Sequence, residues 1–158
     1  MQDLERLEEV VLRVLGVLDP RYTVEKTERW MNLNRPRHSA QLLVGLAETL
    51  AAMGGLGQQI RVSALTLADW AARIVRRLFE HVANDWRLWA SLSLQFPLLA
   101  EAAPRQFLDA VETGLVNDGP VLELFKQAGD GLFGSSPHTG LLWALEGTSP
   151  GPQIGFRG

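Results

Sequence analysis

His38, His81 and His138 are the only imidazoles in the chain, and no cysteine accompanies them. A transition-metal site needs such donors at close spacing, for example His-x-x-x-His on one helix face, and none of the three stands in such a pair. His81 and Asp85 are four residues apart, but Asn84 between them reads as a helix boundary, so His81 belongs to a helix surface. Without cysteine there is no thiolate nucleophile, disulfide or cysteine-held cluster. The carboxylates are scattered, and no two of them argue for a general acid–base pair.

The stretch Gly134-Ser135-Ser136-Pro137-His138-Thr139-Gly140 gathers hydroxyls, an imidazole and free amides at the start of an expected helix. A helix N-terminus of that kind can hold an anion. The stretch lacks the Gly-Lys-Ser/Thr ending of a phosphate loop and the Gly-x-Ser-x-Gly pattern of a nucleophile elbow. Capping by Ser136 and a helix-starting Pro137 account for it without any ligand.

Cations are the remaining candidates. Arg35 and Arg37 sit beside His38 in a short loop, and Arg73, Arg76 and Arg77 share the polar side of an expected helix. Together these arginines form a candidate surface for an anionic partner. The bland reading is an ordinary solvated helix face, and no exposed aromatics are interleaved to stack on bases. The formal net charge of -3 argues against a dedicated nucleic-acid binder, although residues 21–87 hold ten Arg or Lys against six acids. No residue set points to a cofactor.

The elements that position these side chains are helical. Thr66-Leu-Ala-Asp69 is a capping box, after which Leu67, Trp70, Ala71, Ile74, Val75, Leu78, Phe79 and Val82 recur with helical period. Asn84 is placed as a second N-cap, and Trp86, Leu88, Trp89, Leu92 and Leu94 are too apolar for a surface. Pro97 predicts a break at Phe96. Upstream, helices are expected over 3–18, over a short connector from Thr23 to Met31 docked by Trp30, and from Ser39 to Met53, stopped by Gly54-Gly55. Downstream, Pro104 and Pro120 open helices ending at Asn117-Asp118-Gly119 and Gly129, and the last helix, with Leu141, Leu142, Trp143 and Leu145, is apolar enough to require cover on every side.

No stretch shows the alternation of a strand. The expected fold is all-α, built from short antiparallel helix pairs, either as a HEAT-like α-solenoid segment or as an irregular helical bundle. The number, shortness and apolarity of the helices favour the solenoid. The 158 residues suit one domain, assigned to 1–147, with a Gly/Pro-rich flexible tail at 148–158. The acidic N-terminus is unlike a signal peptide and no uninterrupted apolar run approaches ~20 residues, so a cytoplasmic protein without a membrane segment is expected.

Several blocks carry a resemblance: Asp19-Pro20-Arg21-Tyr22, Glu28-Arg29-Trp30-Met31, Arg37-His38-Ser39 leading to Gly45 through Leu50, Pro97 through Glu101, and Gly131 through Glu146. They resemble a stretch of large, mostly helical bacterial proteins of unassigned activity. The resemblance implies a piece of a longer helical scaffold that accompanies an effector or nucleotide-hydrolysing module, and it transfers no functional residue. It ends near Glu146, where the chain departs from the pattern, so a shortened or frame-shifted fragment is the expectation it raises. Two functional readings stand at this point. The first is a non-enzymatic scaffold that binds a protein partner or itself through apolar helix faces. The second is an accessory helical domain of a nucleic-acid- or nucleotide-acting system, working through the arginines.

Overall fold

A computed structural model describes residues 1–23, 36–128 and 137–148. Its elements are helical apart from one short hairpin: α1 (Gln2–Leu15), α2 (Ala40–Leu56), β1 (Arg61–Val62), β2 (Leu65–Thr66), α3 (Leu67–Val82), α4 (Trp86–Leu92), α5 (Phe96–Ala102), α6 (Pro104–Leu115), α7 (Pro120–Ala128) and α8 (Pro137–Thr148). The all-α expectation holds. The connector helix to Met31 beyond its Thr23 cap, with Trp30, the run 130–135, the Ser136 cap and the residues beyond Thr148 lie outside the described residues.

The α3 helix is the centre, and its start follows from chemistry local to the chain. The Thr66 hydroxyl accepts from the Asp69 amide at 3.1 Å, and the Asp69 carboxylate accepts from the Thr66 amide at 2.8 Å, which satisfies two helix-end donors at once. From Trp70 to Val82 every member of the expected stripe is buried. That stripe meets α1, α2, α5 and α6. At its lower end Phe79 joins Trp89 of α4, Phe96 of α5 and Phe107 of α6, with ring centroids 5.0 to 6.4 Å apart. One aromatic cluster therefore ties four helices together, with tilted and edge-on ring contacts.

Neighbouring helices pack on each other, and helices three places apart do so as well: α2 on α5, α5 on α8, α3 on α6 and α4 on α7. Close backbone approaches explain two glycines, Gly54 and Gly140, the first of which the sequence suggests as a helix stop. Gly54 is no helix stop, since α2 runs on to Leu56 and no described glycine has a positive φ. A Cβ on Gly54 would stand 2.0 Å from the Ala102 carbonyl oxygen, so the residue is small because α5 crosses there. Gly140 does the same for α8 at the Ser93 carbonyl, also 2.0 Å.

Other boundaries differ from expectation by small, explicable amounts. The cap of α4 is Asp85, one residue after Asn84, and its carboxylate takes the Arg87 amide at 2.9 Å and the Arg87 guanidinium besides. Pro97 does not expel Phe96 from the α region. The break is absorbed upstream by a 3₁₀ turn at Ser93–Gln95, and α5 begins at Phe96 with proline in its first turn, where no amide hydrogen is missed. The segment after α2 forms a 3₁₀ turn and the β1–β2 hairpin, paired Arg61 to Thr66 and Val62 to Leu65, with Ser63 at φ 64. Two residues per strand are too few to show any alternation in sequence. Asn117 and Asp118, at φ 54 and 56, take the left-handed turn between α6 and α7, as their side chains allow.

Candidate functional site

Among the described residues, Arg73, Arg76 and Arg77 of the candidate arginine surface each have an acidic partner. Glu8 of α1 is buried against α3. Its carboxylate pairs with Arg77, and Arg73 Nε lies 3.1 Å from the second oxygen. Arg73 also rests over the Trp70 ring, 4.8 Å from its centroid. Arg76 has Glu80 one turn on, at 3.6 Å. Arg37 lies apart from these, lining a cavity of about 30 Å³ together with His38 and Gln95. Arg35 lies outside the described residues.

Two imidazoles meet neighbouring elements, while His38 Nε2 is buried without a hydrogen-bond partner. His81 Nε2 lies 3.2 Å from the Gly16 carbonyl oxygen at the end of α1, and the His138 ring is 5.7 Å from that of Phe125. Among the described residues no group of three or more His, Asp or Glu could hold a metal ion. Of the Gly134–Gly140 stretch, the backbone is described from Pro137, the first residue of α8, to Gly140, which serves the close packing on Ser93.

Two other features are larger, and only the second was not anticipated from the sequence. The first is the outward face of α8. Leu141 and Ala144 are buried, but Leu142 is 50% and Trp143 66% exposed, so the helix is covered on one side only. Leu94, expected inside, is 67% exposed, and with Pro97, Tyr22 and Trp143 it lines a groove of about 220 Å³. The 3₁₀ turn that absorbs the Pro97 break rotates Leu94 outward.

The second is a cleft of about 340 Å³ where α3 and α6 diverge. Phe79, Ala83, Ala110, Gly114 and Trp89 form its apolar walls, and Arg76, Glu80, Gln106, Asp109 and Thr113 its polar ones. The sequence held a signal for it: Ala110 and Gly114 are four apart on α6 and leave no bulk facing Phe79. Trp89 is 1% exposed and its Nε1 has no hydrogen-bond partner.

A third surface qualifies the membrane expectation. The run Ala40–Gln59 is, by length and a mean hydropathy of 1.3, apolar enough to cross a membrane, a measure that buried core helices also meet. Its inner face, with Ala47, Leu50, Ala51 and Met53, is buried, while Leu42, Val44 and Leu56 are exposed.

No protein-family model, no curated protein and no solved structure matches the chain.

Proposed function

We propose that this chain is a non-enzymatic α-helical scaffold that associates with a second copy of itself through the outward face of α8. The observation that carries the reading is Trp143, two-thirds exposed beside the exposed Leu142 and across the groove from Leu94. Large aromatic side chains left in water are the residues that anchor protein interfaces.

The same face supplies its own complement. Gly147 lies one turn after Trp143, and a Cβ there would meet nothing within 4 Å. In a two-fold pairing of α8 with α8, Trp143 of one copy can cover Gly147 of the other, as a self-complementary interface requires. The packing of helices three places apart is compatible with stacked helical units, which present broad faces of this kind. The arginine-based reading has no such support, because Arg73 and Arg77 are engaged by Glu8 and Arg76 by Glu80.

Light scattering across a concentration series tests the proposal. The expected result is a mass that rises from monomer to dimer with concentration, and a Trp143→Ser variant that stays monomeric over the same range. A monodisperse wild-type monomer at every concentration would sink it, and so would a dimer indifferent to Trp143→Ser.

A further inference from the structure

The α3–α6 cleft has the form of a small-molecule site, and we propose that it binds an amphipathic organic cation: a ring-sized apolar body carrying one protonated amine. Its volume of about 340 Å³ falls at the lower end of the range for such sites and is far too short for a docked helix. The apolar part would lie between Phe79 and Trp89 on one side and Ala83, Ala110 and Gly114 on the other.

Charge selects the head group. Three ionised side chains line the opening, Arg76, Glu80 and Asp109, and their sum is one negative charge. Arg76 and Glu80 already pair with each other at 3.6 Å. Asp109 has no ion pair or side-chain hydrogen bond among the described residues, so its carboxylate is the one left to meet a cation. Thr113, a turn later, donates its hydroxyl hydrogen to the Asp109 carbonyl at 2.7 Å, which holds the hydroxyl oxygen toward the same helix face as an acceptor.

The floor carries a second, independent sign. Trp89 Nε1 is buried without an acceptor, so its N–H has lost water and gained nothing in return. The indole lies against α6 close to that nitrogen: a Cβ on Gly114 would stand 3.6 Å from Trp89 Cζ2, the ring carbon two bonds from Nε1. An occupant that shifts the indole toward the Thr113 hydroxyl oxygen gives that N–H an acceptor. The cleft supplies the room for the ring to shift.

The experiment is an NMR titration of the ¹⁵N-labelled full chain with 4-phenylbutylamine, the neutral 4-phenylbutan-1-ol and the anionic 4-phenylbutyrate. The Trp89 indole resonance is assigned by its loss in Trp89→Phe. The expected result is a saturable shift of that resonance, with the amine binding about fivefold more tightly than the alcohol, as one partly exposed charge contact provides, and the butyrate weakest. Asp109→Asn should bring the amine down to the alcohol's affinity while leaving the alcohol unchanged, and Ala83→Leu should fill the cleft and abolish binding of both. Absence of a saturable Trp89 shift with any probe overturns the proposal, as does an amine advantage that survives Asp109→Asn. Because Asp109 is exposed, that variant decides the question even if Ala83→Leu fails to fold.

Discussion

Glu8 of α1 and Arg77 of α3 form an ion pair across 69 residues of chain, and the carboxylate is buried while the guanidinium is half exposed. Arg73, 39% exposed in its side chain, completes the arrangement from the next turn of α3. The two ends of this contact are therefore unequal. Removing the acid leaves two cations that water can still reach, whereas removing the cations leaves a buried, uncompensated carboxylate.

The expected outcome is an asymmetric loss of stability. Glu8→Gln should cost about 1 kcal/mol, as for partly solvated pairs, and the double variant Arg73→Met with Arg77→Met about 3–5 kcal/mol. Urea unfolding of the variants checks this. Equal losses would show that Glu8 is better solvated than the packing of α1 on α3 indicates.

This contact also shows what the sequence could not reveal. The α3 stripe was legible because a helical period and a capping box need only neighbouring residues, and both are realised in full. Glu8 stands next to Glu9 in a run of acids, and nothing local distinguishes the buried one from the exposed one. Gly54 looked like a stop because its true cause, the Ala102 carbonyl, comes from another helix. Leu94 and Trp143 looked like core for the related reason that apolar type does not say which face a neighbour will cover. The cleft was half legible, in Ala110 and Gly114, but its opposite wall comes from Phe79 and Trp89 on two other helices.

Glycines on two faces of α2 give a paired prediction. Gly54→Ala drives a Cβ into the Ala102 carbonyl and should destabilise by about 1–3 kcal/mol, the usual cost of overpacking a rigid contact. Gly45→Ala meets nothing within 4 Å and should stabilise by about 0.5–1 kcal/mol, because alanine loses less entropy in a helix interior. Thermal melts of the two variants should move in opposite directions. A shift of the same sign in both would mean that α2 and α5 do not cross at Gly54.

Acid should weaken the fold through three capping carboxylates. Asp85 lies below the ordinary aspartate value because the Arg87 side chain and amide donate to it, against a smaller penalty from burial. Asp69 is lowered by the Thr66 amide and hydroxyl. At Asp19, burial acts to raise the value, but the Arg21 guanidinium and amide together outweigh it and the net shift is downward. Each group is thus easier to ionise in the folded chain than in the unfolded one. Their contribution is complete above the unfolded value near 3.8 and is lost as pH falls below it toward the lowered folded values. The urea midpoint should change little from these groups between neutral pH and about 5, then drop as the pH passes below about 4. In Asp85→Asn that drop should be shallower, and an unchanged slope would remove Asp85 from the account.

Two tryptophans of identical chemistry should behave in opposite ways. Trp70 is 3% exposed in the middle of the α3 stripe, packed in the core and covered by Arg73. Trp70→Ala should cost about 3–5 kcal/mol, the transfer energy of the lost ring plus the cavity that its neighbours cannot collapse to fill. Trp70→Phe should be far milder, because it keeps most of the ring and removes an indole Nε1 that is buried without a partner. Trp143→Ala, on the open face of α8, should change the stability of the dilute chain by no more than about 0.5 kcal/mol, since two-thirds of the residue is already in water. Its effect should appear only as the protein is concentrated, when the wild type gains stability by association and the variant does not. Unfolding curves at two widely separated protein concentrations resolve the two contributions. A large loss in Trp143→Ala at the lower concentration would show that the ring is covered within the monomer, and α8 would then have no free face to offer.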